Sequence, residues 1–318
     1  MKSKPKRKKK YIPRSRPNRP AGAEPAVTLA KADSYFIGRF SAMASPCEIL
    51  METDDAKLAM KLLRIAAREA FRIERKYSRY VSGNIIDKIN NANGERVKVD
   101  DETALLIDFA NSCFELSEGL FDVTSGVLRK AWKFDGSSNL PEQVLIDSIL
   151  PNVGWGKVTW EKPYFSMPAG MELDFGGIGK EYAVDRTVLL LREAKKIALL
   201  VNFGGDIYTG GEKRDGKPWL VGIEDPSGGE KASKVLEITN GALATSGDTK
   251  RYLLKDGKRL GHILNPLTGW PVEDAPSSVT VADDTCTNAG ILATLAMLHG
   301  ANAEEFLEEQ GVRFWCVR

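Results

Sequence analysis

Histidine is nearly absent: 318 residues hold only His262 and His299. A three-histidine zinc centre is therefore excluded. The four cysteines, Cys47, Cys113, Cys286 and Cys316, are too scattered for a zinc or iron–sulfur cradle, and they make no disulfide framework. No apolar run approaches the roughly 20 residues needed to cross a bilayer, the longest lying around Ile197–Val201. The chain is thus not expected to span a membrane. Its first residues lack the apolar core of a secretory signal, and no lipid-bearing cysteine follows, which predicts a cytoplasmic protein.

Charge is close to balanced in total, with 45 Lys+Arg against 43 Asp+Glu, but it is unevenly placed. Residues 1–20 carry ten basic residues and no acid, leaving 35 basic against 43 acidic residues elsewhere, a net of −8. Pro5, Pro13, Pro17, Pro20 and Pro25 punctuate the same region. Residues 1–33 are therefore expected to form a disordered basic, Pro-rich tail able to touch anionic surfaces. Its charges are not interleaved with the aromatics that stack bases, so no specific nucleic-acid partner is expected. Residues 34–318, free of linkers and internal repeats, read as one domain.

Within that domain Tyr35–Leu50 alternates as one or two strands, and Asp54 or Asp55 caps a helix through Tyr77 carrying Leu58, Leu62, Ile65, Ala66 and Ile73 on one face. A second helix, Asp101–Glu118, places Leu105, Phe109, Cys113 and Leu116 at helical spacing and stops at Gly119. Helix Gly179–Ala194 precedes the apolar strand Ile197–Val201. Short strands follow at Trp219–Ile223, Val235–Ile238, Ala242–Thr245 and Arg251–Leu254, then Val279–Ala282, helix Thr285–His299 and strand Val312–Val317. Hairpin-length connections outnumber helical crossovers. The expected fold is α+β: a two-lobed single domain with a predominantly antiparallel sheet flanked by helices.

Chemistry concentrates in glycine-rich turns. In Leu173–Asp185 three glycines and Lys180 lie between a strand-like segment and a helix, where free backbone N–H groups and the helix end favour an anion. The spacing matches neither common nucleotide fingerprint, and a glycine turn serving packing alone is the alternative. Asn202-Phe203-Gly204-Gly205-Asp206 allows a close backbone approach, and Ala244–Asp248 offers hydroxyl and amide donors on a tight turn. His262 sits where a strand runs into a proline turn, and Thr294 lies on an apolar helix.

Taken in order, these segments resemble the FAD:protein FMN transferases, the ApbE-type flavin transferases. The resemblance rests on Phe121–Leu128 with Trp132, Leu173–Asp185, Val201–Ile207, Ala244–Asp248, His262–Gly269, and Ser278–Val281 with Cys286 and Ala293-Thr294. It runs from about Phe40 to the C-terminus. It implies an ApbE-like fold that binds FAD as substrate and moves its FMN half to a Ser/Thr hydroxyl of an acceptor flavoprotein. A phosphoester forms, AMP leaves, and Mg2+ attends. By position the resemblance implies FAD contacts at Met43, Tyr80, Phe121, Asp122, Val123, Asp174, Lys180 and Ile263. It also implies metal contacts at the Gly177 carbonyl and Thr294. His262 is the candidate to accept or orient the acceptor's proton, with an ordinary pKa near roughly 6.5 for the residue type.

Three positions depart from the family pattern. The aspartate that supplies a metal carboxylate is replaced by Gly290, the aspartate of His-x-x-Asp by Asn265, and the serine before Ile85 by Asn84. A hard cation bound through phosphates uses one or two carboxylates, so the change at Gly290 bears directly on activity. Two alternatives to the transferase follow: an FAD-binding relative with reduced or lost catalysis, and a metal-dependent FAD pyrophosphatase giving FMN and AMP. The first predicts that an aspartate introduced at Gly290 raises activity.

Overall fold

The computed structural model describes residues 25–224, 234–248, 251–255 and 257–318. The N-terminal half contains β1 (Thr28–Lys31), β2 (Phe36–Ala42), β3 (Ser45–Met51), α1 (Ala56–Tyr77), α2 (Ile85–Asn90), β4 (Val97–Lys98), α3 (Asp101–Leu116), α4 (Gln143–Ile149), β5 (Thr159–Glu161) and β6 (Tyr164–Ser166). Next come α5 (Gly179–Ala194), β7 (Leu199–Phe203), β8 (Asp206–Gly210), β9 (Trp219–Ile223), β10 (Lys234–Ile238) and β11 (Gly241–Gly247). The chain closes with β12 (Tyr252–Lys255), β13 (Lys258–Gly261), β14 (Ser278–Asp283), α6 (Cys286–Leu298), α7 (Ala303–Glu309) and β15 (Arg313–Val317).

Eight strands form one antiparallel sheet in the order β1-β2-β3-β7-β8-β11-β14-β15. Helices α1, α5 and α6 cover one face and close the main core. On the other face the β9–β10 hairpin sets Trp219, Val221, Ile223 and Leu236 against Leu200, Ile207 and Leu243. Strand β7 is therefore covered on both sides, which explains its continuous apolar run. A smaller core of Val127, Leu128, Trp132, Ile146, Ile149, Val153 and Leu253 makes the second lobe. The architecture is the α+β one expected.

Helix α1 begins as its sequence predicts, with Asp55 accepting the amides of Lys57 and Leu58. Two expectations are corrected. Residues 28–31 were expected within the tail, but they form the edge strand β1, because Val27 and Leu29 find partly buried positions against the main core. The tail reading of residues 1–24 lies outside the described residues. On α3 the buried stripe is Thr103, Leu106, Ile107, Ala110 and Cys113, while Leu105 and Leu116 are 63% and 83% exposed. Both stripes are helical in period, and the buried one includes the small Ala104 and Ala110, which apolar counting alone passes over.

A polar network ties α1, α3 and α5. Arg72 binds Glu69 and Glu102 through two N–H···O pairs each, Lys76 reaches Asp100 and Glu102 at 2.7 Å, and the Tyr182 hydroxyl donates to Glu102 at 2.8 Å. Burial acts to raise the Glu102 pKa, but Arg72, Lys76 and Tyr182 outweigh it and hold the carboxyl well below the usual range. Stability from such a group is present above its unfolded pKa and lost as pH falls. Glu102→Gln is expected to cost about 2 kcal/mol at neutral pH in chemical denaturation, with the gap to the natural chain shrinking below about pH 4.5.

Candidate active site at one end of the sheet

Strand direction gathers several turns at one end of the large sheet. The β2–β3 connection is a two-residue hairpin turn, Met43-Ala44, with φ of 51° and 57°. Such left-handed values normally call for glycine or asparagine, and each costs an ordinary residue about 1–2 kcal/mol. The neighbouring β7–β8 turn, Gly204-Gly205, has φ of 65° and 104°. A side chain at Gly204 would meet Ser45 Oγ at 2.6 Å, so the close approach expected of this glycine is to the first hairpin. Strand β8 starts here at Asp206, β11 ends here beyond Thr245, and β14 starts here at Ser278. Asp248 follows, within contact of Gly261, the residue before His262.

The start of α5 fills the helix side of this end. Lys180 Nζ lies 2.7 Å from Asp206 Oδ2, and the Asp206 carboxylate also accepts from the Thr245 amide. Burial pulls the Lys180 pKa down, but Asp206 and then Glu181 outweigh it and hold the ammonium above its ordinary value. Burial, reinforced by Asp206, pushes the Glu181 acid up. One ammonium thus serves two buried acids. Glu181 Oε2 is shut off from solvent and takes no hydrogen bond in the described structure. Cys286, buried beside the same acids, has its thiol pushed well up and stays protonated.

Helices α5 and α6 are docked by a carboxylate. Asp185 on α5 accepts from the amides of Cys286 and Thr287 at 2.8 Å and from the Thr287 hydroxyl at 2.6 Å, capping α6 from outside. One turn back on α5 stands Glu181, and one turn on along α6 stands Gly290. A methyl group added at Gly290 would sit 2.5 Å from Glu181 Cγ. Of the positions implied for a metal, Thr294 lies one further turn along α6 and Gly177 lies in the turn before α5.

The other positions implied for FAD group around the turn before α5. A side chain at Gly177 would meet the Phe121 ring at 3.2 Å. Asp174 accepts a short hydrogen bond from Arg79, accepts from the Gly176 amide at 3.0 Å and donates its own amide to the Val123 carbonyl at 2.9 Å. Arg79 also donates to the Tyr80 hydroxyl at 2.9 Å, and Tyr80 is 67% exposed. Asp122 is turned inward: it accepts from the Thr124 amide and hydroxyl and from the Trp155 amide, so its carboxylate serves its own chain. Ile263 packs on the main core, and its carbonyl accepts from Val272. Asn84 caps α2 and ties it to the end of α1 through the carbonyls of Arg75 and Ser78. Asn265 shapes its proline turn by accepting from the Leu267 amide.

His262 departs from the expectation of an ordinary pKa. Burial, then the charge of Arg251, push it down to about 4, against a weaker opposing hydrogen bond that the ring donates to the Arg251 backbone carbonyl. The ring is neutral at pH 7, and its buried Nδ1 has no partner in the described structure.

The ApbE family profile matches residues 43–315, nearly the whole described domain. The chain belongs to the ApbE family. The FAD:protein FMN transferase of Vibrio cholerae is 33% identical over 230 residues, covering 70% of this chain and 69% of that one. Its Klebsiella pneumoniae counterpart is 29% identical over 282 residues, covering 83% and 81%. The crystal structure of the Thermotoga maritima ApbE protein superposes with a TM-score of 0.79 at 29% identity, over 89% of this chain and 94% of that one. Among the described residues of this ApbE chain no helix is long and apolar enough to cross a membrane. Among the same described residues, no His, Cys, Asp or Glu side chains form a group of three or more suited to a metal ion. Arg79, Glu181 and Asp206 are the site residues that sequence reading did not single out. Asp206 closes the Gly-Gly turn and Glu181 follows Lys180, so both stood inside motifs already noticed.

Proposed function

We infer that this chain is an FAD:protein FMN transferase. The observation that carries the reading is the assembly, at one sheet end, of an α5 N-terminus that no side chain caps, the half-buried Lys180 ammonium and a neutral histidine whose Nδ1 lacks a partner in the described structure. A helix N-terminus and a fixed cation suit a pyrophosphate, and a neutral imidazole suits a hydroxyl that must lose a proton. In the reaction the acceptor Ser/Thr oxygen bonds to the FMN phosphorus of FAD, and the bond from that phosphorus to the bridging oxygen breaks. AMP leaves with the bridging oxygen and its electron pair.

Lys180 and the α5 amides hold the pyrophosphate and offset the charge that grows on the departing AMP. His262 Nδ1 receives the acceptor's proton. Anionic phosphates brought near the imidazole favour its protonated form, so its basicity rises when substrate is present. In this reading Met43 and Tyr80 bracket the flavin, and the strained Met43 backbone fits a residue held for contact rather than for folding. Arg79 positions Asp174 toward the same turn.

A divalent cation, Mg2+ in this reading, fits the α5–α6 seam because that seam holds an orphaned buried carboxyl oxygen, with Gly177 in the turn before α5 and Thr294 further along α6. When bound it polarises the phosphorus under attack. The partner is an acceptor flavoprotein subunit. Four unpaired cysteines suit a reducing, cytoplasmic setting. The test is in-gel flavin fluorescence of an acceptor fragment incubated with this chain and Mg2+. FAD is expected to label the acceptor and FMN is not, because FMN has no AMP to expel; labelling by neither would remove the reading.

A further inference from the structure

Gly290 does not leave a hole. Its α-carbon faces Glu181 so closely that any side chain there would collide with Glu181 Cγ at 2.5 Å. The Glu181 side chain therefore occupies the place into which a residue at 290 would project, and it carries a carboxyl group of its own. Two further observations point to a ligand at that carboxyl. Glu181 Oε2 is buried with no hydrogen-bond partner, which an acid in a packed interior rarely tolerates. Lys180 is already engaged at 2.7 Å by Asp206, so the Glu181 carboxyl has no cation of its own.

We propose that Glu181 supplies the anionic ligand of a divalent cation on the α5–α6 seam, taking over from α5 the duty that a carboxylate at position 290 would perform from α6. The assignment rests on the transferase reading for its choice of cation. A hard cation taking one carboxylate oxygen, a backbone carbonyl and a hydroxyl, with phosphate oxygens and water completing its shell, matches Glu181, Gly177 and Thr294. The Asp185 cap fixes the register of the two helices and so holds Glu181 over Gly290. Asp206 and Lys180 interact with the Glu181 carboxyl.

The test uses the whole chain and Mn2+ as the probe, with free ion followed by electron paramagnetic resonance, first alone and then with FAD. The natural chain is expected to bind Mn2+, and Glu181→Gln to weaken that binding at least about 10-fold while keeping its fold and its FAD fluorescence quenching. The double variant Glu181→Gly with Gly290→Asp is expected to regain Mn2+ binding, since it moves the carboxylate to the facing helix. Gly290→Asp alone, contrary to the expectation from sequence, is expected to lower thermal stability and gain nothing for Mn2+. Unchanged Mn2+ affinity in Glu181→Gln, tighter binding in Gly290→Asp, or no Mn2+ binding by the natural chain with or without FAD would overturn the assignment. Mn2+ loss in Glu181→Gln from a chain that forms no AMP would spare the assignment and remove the transferase reading. AMP formation with unchanged Mn2+ affinity in Glu181→Gln would do the reverse.

Discussion

Lys180→Met is expected to cost about 3–5 kcal/mol of folding stability and to reduce FMN transfer at least about 100-fold. The stability loss arises because Asp206, inside the sheet end, would lose the ammonium 2.7 Å away while Glu181 remains beside it. Two buried acids without a cation are far less stable than the same acids with one, whatever the net worth of the original pair. The catalytic loss has a separate origin: the pyrophosphate would lose its fixed positive charge. The two can be pulled apart. Adding Asp206→Asn to Lys180→Met removes the stranded charge and is expected to restore most of the stability in denaturant titrations but none of the transfer. Recovery of transfer in that double variant would show that Lys180 acts only by holding Asp206.

His262→Ala is expected to lower the transfer rate by about 100-fold to 10,000-fold while leaving FAD affinity near that of the natural chain. The site geometry explains the split: the Nδ1 atom is free to take a proton, and Phe134 flanks the ring at 6.3 Å, so the imidazole is held in place by packing. The pH dependence follows from its depressed pKa. A histidine titrating at about 4 when folded and 6.5 when unfolded binds fewer protons in the native state across that window. Its contribution to stability is therefore lost as pH falls from about 6.5 towards 4, by about 3 kcal/mol in all. His262→Ala should lack this loss. The transfer rate of the natural chain should show no step near pH 6.5 in the absence of bound phosphates' influence, that is, in kcat/KM, which reports the free enzyme. A step at 6.5 would mean an exposed, ordinary histidine and would contradict the buried placement.

Much of this was legible in the sequence, for reasons that differ by element. Helix α1 announces itself through Asp55 and a long apolar stripe, and α5 through the glycine turn before it. The β7–β8 hairpin follows from an apolar run meeting Gly204-Gly205, whose turn only glycine adopts without strain. Strand β1 was hidden because an edge strand needs one covering face and shows little pattern in four residues. The buried face of α3 was misread because two stripes on it are equally periodic, and only tertiary burial decides between them. The Glu181–Gly290 contact is the clearest loss. Each residue sits in a recognisable motif, yet only the Asp185 cap, which sets the helix register, shows that one fills the other's place. His262 was found, but its basicity was not, since burial is a tertiary property.

The most direct measurement is the ratio of AMP released to acceptor molecules that gain an FMN-sized mass, from the whole chain with FAD, Mg2+ and an acceptor fragment. The account predicts one AMP for each flavinylated acceptor, with little AMP when the acceptor is left out. AMP formed equally without acceptor would make the chain a pyrophosphatase, and bound FAD yielding no AMP at all would contradict the catalytic reading of Lys180 and His262.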